Sequence, residues 1–542
     1  KLESGEFIDG NFTPSNSISK TITNFSGLGE DIGGKLSDNA EGFYKMIKMD
    51  DFRSLTMITR FGADANFTKN DEYRLRIVQH DPNRVGNNDQ LFSSTKSSGD
   101  FPELVGNDLT ECDILNMGSR GVILAGRDST GACKIKCFIL PADPSAVPQT
   151  ITGHGSQGIV SVSQLGKNTR DVRIVAISDK HFYIVWCELI NYAGGGSGFV
   201  PIGKVGYVDT NGVISFATSG VNGQTTGEHL LKSNDGGGIH GFTSSNPGNA
   251  AADYSATEAS EPNNPLLHMF DHPDVNAEID FVYIYYRNSG SPYWIHGTVE
   301  ELNEATESAQ VIRYNMVLRQ LQQVFANGLR DSNNVLISNT TAGNIINTGR
   351  YTHWIDEVDN RTAVYFWRDS VLGVQAATVT VGIDGGPPFG LRSMFFGDFN
   401  AKPFNSAKSG PATRLDAVTG TINAGVGGMS GAIYDKSLKA GYYQWTDHRS
   451  GVPIGAANSS VIYGTFIVDN KSIIKTSPAN PLSYNTTGEV TGHGVVAMTN
   501  NKLFSAHPHG DLNHYGRIYN FEQQIYVAGE YIIAITGNDS LD

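Results

Sequence analysis

Val364–Gly373 reads VYFWRDSVLG and runs on into VQAATVTV. An apolar, aromatic and β-branched run ends in Arg368. Asp369 and Ser370 follow, then Gly373, and then a second β-rich run. Aromatic and β-branched residues fit a pleated, half-buried surface, and Asp, Ser and Gly fit the tight turn between two strands. The stretch is therefore a β-hairpin, and it recurs. Gly121–Gly131 reads GVILAGRDSTG before ACKIKCFIL, and Phe281–Gly290 reads FVYIYYRNSG before SPYWIHGTV. Gly441–Gly451, GYYQWTDHRSG, is a looser copy. A strand–turn–strand unit repeated along one chain predicts a repeat architecture.

Working outward, hairpins are also legible at Arg53–Gln79, at Val172–Ile190 with a turn at Ser178–His181, and at Val495–Tyr519. That makes about seven, spaced wider than the usual propeller blade, with inserted loops supplying the excess. The expected fold is all-β: a β-propeller of about seven four-stranded blades spanning 41–542, preceded by an N-terminal arm at 1–40. Radial repetition protects sheet edges. A β-sandwich or a β-helix is the alternative. The final strand, Tyr531–Gly537, would complete a blade begun by the arm. Glu300–Asn327 is the one helical candidate, because Tyr314, Leu318, Leu321 and Phe325 fall at helical spacing, although QVIRYNMVL also reads as a strand.

Composition narrows the function. The 542 residues include 62 glycines and carry a formal charge of −15, which argues against a nucleic-acid partner. No apolar run is long enough to insert into a bilayer. The chain begins at Lys1 rather than methionine, which implies that something precedes it or was removed. The balance of Gly, Asn and acidic residues with four cysteines suits an extracellular protein, secreted or on a virion surface. Cys133 and Cys137 share one side of a strand, with Cys112 or Cys187 as conceivable partners. Their spacing matches no zinc site, so buried thiols are expected.

Thr-Gly-His-Gly occurs at Thr152–Gly155 and again at Thr491–Gly494. In a four-stranded blade it would lead into the innermost strand, at the end that also carries the turn between the two middle strands. His154 and His493 would then share one face with Arg127, Arg287, Arg368 and Arg449. A Gly-His entering a blade is often structural, and an Arg beside Asp in a turn is often a solvated pair. The functional reading is that several guanidinium groups around one opening bind carboxylates bidentately. Trp294, Trp367 and Trp445 would stack on sugar rings there, although alternation sends about half of such aromatics into the core.

The expected ligand is thus an anionic, uronate-containing polysaccharide or a glycan receptor. The chemistry, if any, is that of a polysaccharide lyase, with His154, His493 or His240 as base and Tyr286 or Tyr293 as acid. A glycosidase would need a carboxylate pair, which no spacing singles out. The alternative is a non-catalytic attachment or lectin-like module. His507, His509, His514 and Asp511 sit in a Pro/Gly loop, which reads as surface rather than metal site. Asp/Asn-Gly loops would suit calcium, but neither an EF-hand nor a glycine-rich calcium repeat is present, and no cofactor is expected.

Ser233–His240, SNDGGGIH, resembles the Asp-box of sialidases, departing at Ile239 and His240, where that pattern has Thr and Trp. In that family the box is a structural turn away from the active site, so the resemblance implies fold and no activity.

Overall fold

The computed structural model describes the strands given below, with turn and loop pieces at 49–50, 117–121, 128, 130–132, 140, 142–143, 151, 158–159, 162–163, 168, 177–180, 209–213, 228, 231, 270 and 436. Side chains are described for a subset of these. Among the described residues there is no α-helix, only a 3-10 turn at Gly118–Arg120. The helical expectation for Glu300–Asn327 is corrected. Tyr314–Gln323 is a strand, paired along Pro292–Glu301, because tertiary pairing outweighs a weak local periodicity.

Seven antiparallel sheets of four or five strands follow one another along the chain, with Thr413–Arg414 and Asn480–Thr486 as additions on the third strands of the fifth and sixth, and two further two-stranded sheets pair Gly5–Ile8 with Asn11–Pro14 and Lys20–Asn24 with Glu522–Ile525. Sheet 1 runs Glu41–Lys48, Arg53–Phe61, Asn70–Gln79, Phe92–Ser93. Sheet 2 runs Thr110–Asn116, Val122–Arg127, Cys133–Ile139, Thr152–Gly153, with Val160–Ser161 also on its third strand. Sheet 3 runs Thr169–Ala176, His181–Asn191, Ser197–Val208, Ile214–Phe216, and His229–Leu230 joins its third strand. Sheet 4 runs Asn263–Met269, Glu278–Tyr286, Pro292–Glu301, Tyr314–Gln323. Sheet 5 runs His353–Asp359, Thr362–Asp369, Gly373–Asp384, Leu391–Phe396. Sheet 6 runs Met429–Asp435, Ala440–Asp447, Ser459–Asp469, Ser472–Lys475. Sheet 7 takes Gly494–Ala497, Lys502–Pro508 and His514–Asn520 from the end of the chain, and Glu30–Lys35 from its beginning as the fourth strand. The partner of that early segment is His514–Asn520, with Arg517 opposite Asp31. The expected partner, Tyr531–Gly537, lies outside the described residues.

The first strand of each sheet lies beside the first strand of the next, and that of sheet 7 lies beside that of sheet 1. Both faces of a sheet are thereby covered. In sheet 2, Ile123 and Ala125 pack toward Val172, Ile174 and Phe182 of sheet 3. The alternating Val122 and Leu124 pack toward Leu55, Met57 and Leu75 of sheet 1. Coverage on both sides is why VILA, FYIVW and FVYI read as continuous apolar runs rather than alternations. Glycine supplies local relief. Phe182 lies flat over Gly206 directly opposite, and Phe466 over Gly441. A Cβ at either glycine would enter the ring.

Two carboxylate contacts, one from a buried and one from a half-buried aspartate, tie first strands together across sheet boundaries. Asp113 of sheet 2 accepts the backbone N–H of Ile174 in sheet 3 at 3.0 Å, and takes Lys45 Nζ of sheet 1 at 2.5 Å. Asp356 of sheet 5 accepts the backbone N–H of Tyr434 in sheet 6 at 2.6 Å. The four cysteines are buried thiols, as expected, and none is joined in a disulfide. Burial pushes the Cys137 thiol up to about 12 and the Cys133 thiol higher still, so both behave as small apolar groups.

Candidate functional site

The turn between second and third strands is where the repeated Arg sits. Arg127 closes the second strand of sheet 2 opposite Cys133, and Arg368 pairs with Val374 near the end of the second strand of sheet 5. Arg287 follows Tyr286, the last residue of the second strand of sheet 4, and Arg449 lies between the second and third strands of sheet 6. Both lie outside the described residues. Four arginines therefore occupy one topological position in four sheets.

Two of the seven hairpins are of another kind, with the Ser178–His181 turn where the sequence puts it. Val172–Ile190 joins the first and second strands of sheet 3, and Val495–Tyr519 begins with the first-to-second turn of sheet 7. Such turns point to the opposite end of a sheet, because successive strands run antiparallel. The equivalents of the Arg turns are Asn191 to Ser197 in sheet 3 and Pro508 to His514 in sheet 7. The histidine-rich loop thus takes the place that Arg takes elsewhere. Counting four strands per unit, rather than hairpins, is the signal that finds it.

The sheet 2 turn is described best. Asp128 Oδ1 accepts Thr130 N at 2.9 Å, Thr130 Oγ1 at 2.6 Å and Ala132 N at 2.9 Å. Lys134 Nζ stands 3.7 Å from Oδ2. Burial opposes the charge on Asp128, but the bonds from Thr130 and Ala132 and the Lys134 charge outweigh it and hold its pKa below the usual carboxylate value. Asp128 is the turn's anchor and is unsuited to acid catalysis. Gly131 O then accepts both Thr169 N at 2.8 Å and Thr169 Oγ1 at 2.9 Å. Thr169 opens the first strand of sheet 3, so the turn lies against the entry to the next sheet. Arg127 Nη2 reaches across to Asn168 Oδ1 at 3.1 Å, in an exposed pair. Asn168 has no motif around it and was not legible from the sequence.

Next along the rim, Arg170 lies flat over the Phe199 ring at 3.9 Å, with its Nε 3.5 Å from Asp171. Asp171 has φ 53°, in the left-handed region that Asp tolerates better than most residues, and it sits in a bulge between Arg170 and Arg173.

The histidine expectations are corrected in part. Thr152–Gly153 pairs with Phe138 and Ile139 as the fourth strand of sheet 2, so that copy of Thr-Gly-His-Gly does not enter an inner strand. The second copy does, since its Gly494 opens the first strand of sheet 7. His154, His493, His240 and the Ser233–His240 stretch lie outside the described residues. Tyr286 stands opposite Pro292, Tyr293 opposite Tyr285, Trp294 opposite Ile284, Trp367 opposite Gln375 and Trp445 opposite Ile462; their side chains are not described. Among the described residues no group of His, Cys, Asp and Glu could hold a metal, and no helix is long and apolar enough to cross a membrane.

No protein family model and no curated relative matches the chain. Solved structures that it resembles include a fungal lectin from Aleuria aurantia, described with a six-bladed β-propeller fold and a fucose recognition mode, at 8% identity over 78% of this chain and 99% of that one (TM-score 0.32). A thermostable family-43 glycoside hydrolase matches at 12% identity over 70% and 98% (TM-score 0.30). The NanB sialidase of Streptococcus pneumoniae matches at 10% identity over 94% and 70% (TM-score 0.30). No residue is carried across from any of them.

Proposed function

We propose that the seven sheets are the blades of one propeller, and that its Arg-bearing rim binds an anionic glycan. The order of first strands, each beside the next and the last beside the first, supports the ring. The observation that carries the function is the seating of the sheet 2 turn on the entry to sheet 3. It holds Arg127 at the rim, half-buried and with an exposed hydrogen bond to Asn168, in a position that recurs at Arg287, Arg368 and Arg449. A guanidinium offers a planar fork that matches a carboxylate or sulfate bidentately. In a chain of net charge −15, repeated cations at one sheet end serve to attract an anion locally. Asp128, committed to its own turn, favours recognition over carboxylate-pair hydrolysis at this place.

Calorimetry against polygalacturonate, hyaluronan and sialyllactose, with a neutral glucan as control, tests the reading. Binding of an acidic glycan, weakened at least about tenfold in an Arg287→Ala/Arg368→Ala double variant, supports it. No binding to any acidic glycan ends it. Ultraviolet absorbance from new unsaturated ends, in the same mixtures, would add elimination chemistry to recognition.

A further inference from the structure

The boundary between sheets 5 and 6 carries a second device, independent of any glycan. Asp356 is half-buried in the first strand of sheet 5, and its Oδ2 accepts the Tyr434 N–H of sheet 6 at 2.6 Å. Tyr434 is itself buried and leans on Phe466. The charged groups that face Asp356 are Glu357, its chain neighbour, and Lys436, just past the first strand of sheet 6. Lys436 Nζ is already 2.9 Å from Glu357 Oε2 and half-exposed. On the preceding first strand, in sheet 4, His268 packs edge-on against Phe270 at 4.8 Å. Its Nε2 has no hydrogen-bond partner among the described residues. Asp113 offers the contrast: the same bond to the next sheet, but with Lys45 seated on its carboxylate.

We propose that Asp356 and the Tyr434 amide form a proton-operated clasp between sheets 5 and 6. The carboxylic acid holds the boundary neutral, and its loss of a proton places a second negative charge beside Glu357. A carboxylate with one cation already engaged elsewhere, and little water, favours its neutral form. Burial first, and then the Glu357 charge, push Asp356 from 3.8 up to about 7, against the opposing amide bonds and Lys436. The two sheets that the clasp joins carry the Arg368 and Arg449 turns, so protonation acts beneath that half of the rim.

The test is a pH titration of the full chain with 15N-labelled tyrosine, followed by NMR from about pH 5 to about pH 9. The Tyr434 amide is assigned by its disappearance in Tyr434→Phe, which keeps the backbone N–H and loses the label. The expected result is one midpoint near neutrality for Tyr434, abolished in Asp356→Asn. A Tyr434 amide that stays still in the wild type, or that still titrates in Asp356→Asn, overturns the proposal. Should Asp356→Asn not fold, Glu357→Gln serves. It removes the neighbouring charge, and a midpoint that fails to move to lower pH overturns the proposal equally.

Discussion

The boundary between sheets 2 and 3 and that between sheets 5 and 6 solve one problem with different chemistry. Each has a first-strand carboxylate that accepts the next first strand's N–H. Asp113 takes its own neighbour's Ile114 N–H, Ile174 N–H and Lys45 Nζ, three donors for one buried carboxylate. Among the described residues the lysine nearest in effect to Asp356, Lys436, is paired with Glu357, and that second carboxylate stands beside Asp356. A similar backbone bond thus has a lysine seated on its carboxylate in one place and a second carboxylate beside it in the other. The difference lies in the counter-charge, not the hydrogen bond.

The largest effect should come from breaking the lysine-bearing joint. Asp113→Ala leaves Lys45 Nζ with the Ile114 carbonyl in place of a counter-charge and strands the Ile174 N–H at a sheet boundary, and should cost about 3–5 kcal/mol in urea unfolding. Asp356→Ala, measured below neutral pH, should cost about 1–2 kcal/mol, since one neutral bond is lost. Equal losses would erase the contrast. Gly206→Ala and Gly441→Ala, one in sheet 3 and one in sheet 6, should each cost about 1–3 kcal/mol, because Phe182 and Phe466 must leave their places. A difference between those two would show that one sheet yields more easily.

The pH dependence separates the boundaries further. Asp356 keeps its proton to about 7 folded and sheds it near 3.8 unfolded, so over that range stability falls as pH rises. His268 is the reverse. Burial, helped by the Lys436 charge, lowers it from 6.5 to about 4, so its contribution is present above 6.5 and is lost as pH falls toward 4. The two oppose each other between about 4 and 6.5. His268→Met should therefore unmask a stability that declines with pH, and Asp356→Asn one that rises, in denaturant midpoints taken across that window. Parallel curves would break this account. The smallest expected effect is Arg127→Ala, within about 0.5 kcal/mol of wild-type stability, since its bond to Asn168 is exposed; any loss of glycan affinity would then be local.

Much of the strand inventory was legible. The Arg53–Gln79 hairpin pairs those two residues directly, and the Arg127 and Arg368 turns fall where the sequence puts them. Hairpins are local, and apolar runs broken by Asp-Ser-Gly announce them. The order of strands within a sheet was less legible. The two Thr-Gly-His-Gly copies look alike in sequence, yet one is a fourth strand and the other opens a first. The helical spacing of Tyr314–Phe325 yielded to a partner strand the sequence does not name.

The sequence alone determined that this chain is all-β, that its strands are apolar on both sides, and that Arg recurs at one kind of turn, because those facts are written in runs of neighbouring residues. Tertiary structure decided which turns share an end, that Asn168 meets Arg127, that an early segment completes the last sheet, and that Asp113 and Asp356 do the same task under different charge. These are contacts between residues tens to hundreds of positions apart. Nothing in local composition fixes them until first strands from different sheets are laid side by side.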